Sequence, residues 1–174
     1  MSNNYSLRKS DYYGCLEGEL FSQLFGCKIH FIAKNCDDIY AERCAEFFES
    51  VTEDFARNDE VFSTLSEGAA AYILDLIDEN DFELGGFEFD EDSPSVEIFK
   101  WLTPQLLVFE KFKLLDDGDC PIAFSIKLSF DPVPDELAEI AAHGDVPVYA
   151  GEYMGVSPWN DKLLKKDWNY IGGN

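Results

Sequence analysis

Between Asn58 and Phe99 the chain holds no Lys, Arg or His, while the same interval carries thirteen acids, among them Asp75, Asp78, Glu79, Asp81, Glu83, Glu88, Asp90, Glu91 and Asp92. Carboxylates without counter-charge have to stay in water, because an unpaired charge is too costly to bury. The apolar residues between them must therefore supply the buried side of whatever this interval folds into. With a formal net charge of −22 on 174 residues, nucleic-acid phosphate and acidic membrane lipid are excluded as expected partners. A basic protein or a cation fits that charge, as does a purely solubilising role.

High charge alone would suggest disorder, but fifteen Phe, eight Tyr and three Trp give the chain enough apolar surface for one packed domain, residues 1–174, with a looser acidic linker near 80–95. The polar start Met1-Ser-Asn-Asn-Tyr-Ser lacks the apolar stretch of a secretory leader, and no apolar run approaches the ~20 residues that span a bilayer. Five cysteines, Cys15, Cys27, Cys36, Cys44 and Cys120, are odd in number and read as reduced thiols in a cytosol.

Periodicity then divides the chain. Cys27, Ile29, Phe31 and Ala33 alternate with Lys28, His30 and Lys34, which predicts a half-buried strand in a hairpin with residues 14–20. Tyr40, Cys44, Phe48, Val51 and Phe55 recur at helical spacing, with Asp37 or Asp38 as the cap, and predict an amphipathic helix. A second helix follows Asn58, with Phe62, Leu65, Ala69, Tyr72, Ile73 and Leu76 inward; Gly68, costing about 1 kcal/mol against Ala in a helix, leaves room for a break between Ser66 and Gly68.

Beyond the linker, Val96 to Leu102 is a short apolar segment stopped by Pro104. Leu106, Val108, Glu110, Phe112 and Leu114 then share one face of a strand, Asp116-Asp-Gly-Asp makes a turn, and Ile122, Phe124, Ile126, Leu128 and Phe130 return, with Ala123, Ser125, Lys127 and Ser129 outward. Asp135 to Ala142 reads as a short helix ended by Gly144, and Val146 to Tyr153 as a strand that Pro147 places at or near an edge. The fold class expected is α+β, an antiparallel sheet with a helical pair packed on one face.

Motifs for chemistry are sparse. There is no Cys-x-x-Cys and no histidine pair on one helix face, so no zinc site is expected. An EF-hand loop begun at Asp90 would need glycine where Ser95 stands and a bidentate Glu where Trp101 stands. Gly85-Gly86 is flanked by acids that would repel a phosphate. His30, beside two lysines on a strand, and His143, at the end of the expected helix before Gly144, both read as structural. No cofactor, metal or catalytic residue is assigned.

The helix end is more telling. Asp75, Asp78 and Glu79 occupy the last turns of the second helix, where negative charge opposes the macrodipole, so local stability did not place them there. Phe82, Leu84, Phe87 and Phe89 then alternate with Asp81, Glu83, Glu88 and Asp90. As a binding surface for a basic protein, Asp75, Asp78, Glu79, Asp81, Glu88, Asp90, Glu91 and Asp92 would steer association while Phe87 and Phe89 anchor it. The plainer reading has the Phe side chains pinning a solvated loop to the core.

Leu24-Phe25-Gly26 leading into the strand Cys27 to Ala33, the acidic helical pair ending in Ala71-Tyr72-Ile73-Leu74, and the strand Ile122 to Phe130 resemble a group of small acidic bacterial proteins, some of which are similar to immunity proteins of polymorphic toxin systems. The resemblance spans residues 12–130; after the last hairpin Phe130-Asp131-Pro-Val-Pro departs from the Trp-Asp and Glu-His pairs common there. It implies a cytoplasmic, non-enzymatic protein that binds and neutralises a toxin domain, and it transfers no catalytic residue. The alternatives are a hydrolase working through paired carboxylates, for which the acids offer many pairs of unknown separation, and a nucleic-acid mimic.

Overall fold

In a computed structural model, residues 5–11, 14–53, 60–82, 84–112, 121–164 and 166–171 are described. The expected turn at Asp116 to Asp119, together with Phe55, Glu83, Leu114 and Cys120, lies outside them. Seven strands form one sheet in chain order: β1 (Arg8–Lys9), β2 (Cys15–Ser22), β3 (Cys27–Lys34), β4 (Leu102–Glu110), β5 (Ala123–Phe130), β6 (Val133–His143) and β7 (Val146–Glu152). All neighbours are antiparallel except β3 and β4. That parallel step carries the two helices, α1 (Asp38–Glu53) and α2 (Glu60–Asn80), because parallel neighbours need a long crossover. The fold is α+β, as the periodicity predicts.

Asp37 caps α1: its carboxylate accepts the backbone N–H of Tyr40 at 2.9 Å. The buried stripes of both helices meet the same sheet residues. Phe48 of α1 lies edge-on to Phe109 and Phe124, and Phe62 of α2 stacks on Phe124 with centroids 6.1 Å apart. Leu107 and Phe109 stand opposite Ile126 and Phe124 in the β4–β5 register and complete this face. Leu106, Val108 and Glu110 do share a face, and the register turns it away from the helices.

Two expectations are corrected. Asp135 to Ala142 is not a helix but the body of β6, paired on both sides, with Ile126 opposite Ile140 and Ala141 opposite Tyr149. Ala138, Ile140 and Ala142 enter the main core while Ala141 belongs to a second cluster with Tyr149 and Leu163. A strand covered on both faces loses the apolar–polar alternation by which a strand is recognised. His143 accordingly ends a strand, where its ring stacks on Trp159 at 4.1 Å and Nε2 lies 2.7 Å from the Pro158 carbonyl. The second correction is that α2 runs unbroken through Gly68. Pro104 lies inside β4, at a register shift between Pro104 and Leu106 and before pairing with β3 begins at Leu107, so its missing N–H falls where the ladder is already irregular.

The last residues form 3-10 turns at Asp161–Leu164 and Lys166–Trp168 and then seal the edge of β7. Asn169 donates to the carbonyls of Val148 and Leu163 and accepts the N–H of Ala150 and Ile171, while the Tyr170 N–H donates to the Ala150 carbonyl. An open strand edge is thereby closed by side-chain and backbone hydrogen bonds.

Candidate functional site

The acidic residues singled out in the sequence fall on the end of α2 and the loop after it. Asp75, Asp78, Glu79, Asp81, Glu88, Asp90, Glu91 and Asp92 are all exposed. The ion pairs among the described residues, Arg8–Glu17, His30–Glu17, Lys28–Glu19, Lys34–Glu110 and Lys100–Glu97, use none of the eight. Asp75 accepts a hydrogen bond from Tyr170, whose hydroxyl is pushed up to about 12, chiefly by burial and then by this bond and the acids nearby.

Helix α2 ends in a left-handed residue, Asp81, at φ 51°. The N–H of Phe82 then reaches back to the Ile77 carbonyl at 3.4 Å, the six-residue closure of a Schellman ending. The loop is ordered by its own bonds: the Asp90 carboxylate accepts the Asp92 N–H at 3.1 Å and the Ser93 hydroxyl at 2.8 Å. Beyond it a 3-10 turn, Ser95–Trp101, is tied to α2 by the Ser66–Ser95 hydroxyl pair at 3.0 Å.

The two aromatic residues expected as anchors point inward. Phe89 is 7% exposed within the main core. Phe87, half-buried, lies edge-on to Trp101 at 5.0 Å and Phe130 at 5.4 Å. They pin the loop to the sheet, as the plainer reading has it, because an aromatic ring gains more from a preformed apolar seat than from water.

A concavity on the opposite side of the sheet escaped the sequence reading. On the face that turns away from the helices, a cleft of about 510 Å³ is lined by Ile32, Leu106, Val108, Lys127, Glu139 and Tyr153, with Cys15, Lys34, Ser125, Gly155 and Val156 around them. One wall is the segment after β7. Glu139, 1% exposed, holds that wall by accepting the backbone N–H groups of Met154 at 3.0 Å and Gly155 at 3.2 Å. Burial raises the Glu139 carboxyl above its ordinary range, opposed by these two bonds, by a bond from Ser125 and by the Lys34 charge. The Lys127 ammonium lies over the Tyr153 ring, 4.8 Å from its centroid. Burial, then the Glu139 charge, push the Tyr153 hydroxyl up as well.

A signal for this cleft stood in the run Leu106-Leu-Val-Phe109, apolar on both faces of a strand. Glu139 gave none, since it was assigned to a helix. A second hollow, of about 710 Å³, is lined by Tyr5, Arg8, Lys28, His30 and Glu49. There Arg8 and Lys28 are already paired with Glu17 and Glu19. Among the described residues no group of three or more His, Cys, Asp or Glu is placed to hold a metal ion, and no helix is long and apolar enough to cross a membrane. No family model matches the chain, and neither the curated proteins nor the solved structures yielded a match.

Proposed function

We propose that this protein binds a basic protein partner through the end of α2 and the loop that follows, and that it acts as an immunity-type protein neutralising a toxin domain in the cytoplasm. The observation that carries the reading is the set of eight exposed acids, outside every ion pair among the described residues, held on a helix end and a turn whose backbone is already ordered. Preorganised charge of one sign accelerates encounter with an oppositely charged partner, and an ordered loop loses little entropy on docking. The unbridged Cys15, Cys27, Cys36 and Cys44 agree with a reducing compartment. The cleft presents one carboxylate, Glu139, among its described lining residues, where hydrolysis by paired carboxylates takes two.

The test is kinetic. A basic partner captured from the native cytosol is measured against wild type, against a variant with Glu88, Asp90, Glu91 and Asp92 changed to their amides, and against Phe87→Ala. The amide variant should associate at least tenfold more slowly with a flattened salt dependence. Phe87→Ala, by loosening the loop, should bind more weakly with its salt dependence intact. Equal association by all three proteins would place the interface elsewhere.

A further inference from the structure

We propose that the cleft on the open face of the sheet binds a small amphipathic carboxylate, its apolar body lying on Ile32, Leu106 and Val108 and its anionic head meeting the ammonium of Lys127.

The floor argues for an apolar body. The uncovered face of a largely antiparallel sheet is ordinarily polar, and Glu17 and Glu19 of β2 with Lys28 and His30 of β3 follow that rule, with Phe21 exposed beside them. The centre breaks it: Ile32 of β3 stands opposite Val108 of β4, with Leu106 two positions along. The helices lie on the other face, and Leu163 of the C-terminal segment packs with Ala141 and Tyr149 of β6 and β7. A volume of about 510 Å³ is within the range of about 300 to 1,000 Å³ typical of small-molecule sites.

The charges argue for a single anionic head. Lys34 is engaged by Glu110 at 3.8 Å. Lys127 is partly buried, and among the described residues no carboxylate lies within 4.0 Å of its ammonium, which meets the Tyr153 ring instead. An ammonium on an aromatic face keeps hydrogen-bond donors to offer, and a carboxylate is the group that satisfies them best. Glu139, across from Lys127 in the β5–β6 register, makes no ion pair with it and is instead engaged by the N–H groups of Met154 and Gly155, both on Oε2, and by Ser125. A cationic ligand drawn to Glu139 would compete with those bonds, which hold the wall of the site. The acids of α2 and the loop do not forbid an anion on the other side of the sheet, since the Debye length at physiological salt is about 8 Å.

Calorimetric titration of the whole chain with octanoate, 1-octanol and octylammonium in 150 mM salt tests the assignment. Octanoate should saturate at one per chain and bind more tightly than the other two probes. Lys127→Met should weaken octanoate at least tenfold and leave 1-octanol unchanged, which also reports that the variant's cleft is intact. Val108→Trp, filling the floor, should abolish binding of both, while Lys28→Met, on the same face but outside the cleft, should alter neither. Absence of saturable octanoate binding, tighter binding of octylammonium, or a Lys127→Met variant that binds octanoate as wild type does would each overturn the proposal.

Discussion

Gly68 in the middle of α2 abuts Ala150 in the middle of β7, so closely that a Cβ placed on Gly68 would stand 2.7 Å from the Ala150 Cβ. The same gap holds Ile171 and the Tyr170 carbonyl, 3.2 and 3.3 Å from that position. The glycine is thus a contact point between helix, edge strand and C-terminal segment rather than a place where the helix breaks. This contact brings α2 onto the β7 side of the sheet.

Gly68→Ala sets two effects against each other. Helix propensity favours Ala by about 1 kcal/mol, while forcing a methyl into a filled contact costs roughly 1–3 kcal/mol. Both the Ala150 side chain and the Tyr170 carbonyl would have to move, so the variant should be less stable, by up to about 2 kcal/mol, in urea unfolding. A gain in stability would show that the C-terminal segment yields freely.

Asp81 holds a left-handed backbone conformation at φ 51°, which costs an L-residue roughly 1–2 kcal/mol that glycine does not incur. Its charge also opposes the helix dipole. Asp81→Gly should therefore stabilise the fold by about 1 kcal/mol in thermal or urea unfolding. If the residue is retained for binding, the same variant should associate more slowly with a basic partner, the exchange of stability for function seen at many sites. Destabilisation by Asp81→Gly would refute this account of the helix end.

Glu139 should couple stability to pH. Its carboxyl is raised above the ordinary 4.5 by burial, so the folded protein holds this proton more firmly than the unfolded chain does. The associated stability is present at acid pH and is lost as pH rises from about 4.5 through the raised folded value. Glu139→Gln removes that loss, so its melting temperature relative to wild type should climb between pH 4 and pH 7. A difference that stays flat or falls over this range would mean that the backbone hydrogen bonds to the carboxylate outweigh its desolvation.

Cysteine reactivity should follow burial. Cys44 is fully buried, and burial pushes the Cys27 thiol up, so both should react slowly with a thiol reagent at neutral pH. Melts with and without reductant should coincide, because Cys15, Cys27, Cys36 and Cys44 are unbridged. A large loss of stability on reduction would contradict a reducing environment for this protein.

The elements legible in the sequence were those with one wet and one dry side. The stripe through Tyr40, Cys44 and Phe48 and the alternation from Cys27 to Ala33 each carry a period that a single secondary structure satisfies. Edge placement of β7 was legible for a different reason, since Pro147 cannot serve a central ladder. The exposure of the acids was legible too, because nothing in their interval pairs with them.

What failed was legible to no local rule. Residues 135–142, Asp-Glu-Leu-Ala-Glu-Ile-Ala-Ala, show no strand alternation, and only their two strand neighbours make them a strand. Phe87 and Phe89 look alike as anchors or as pins until Trp101 and Phe130 are seen beside Phe87, and Glu139 is one acid of thirty-five until the wall folds over it. The sequence by itself determined α1 and α2, the strand period from Cys27 to Ala33 and the sign of the surface, because these depend on neighbours a few residues apart. Which face of β4 meets the helices, where Gly68 touches, and that Lys127 and Glu139 line one cleft were decided only by the tertiary structure, since each depends on register between segments distant along the chain.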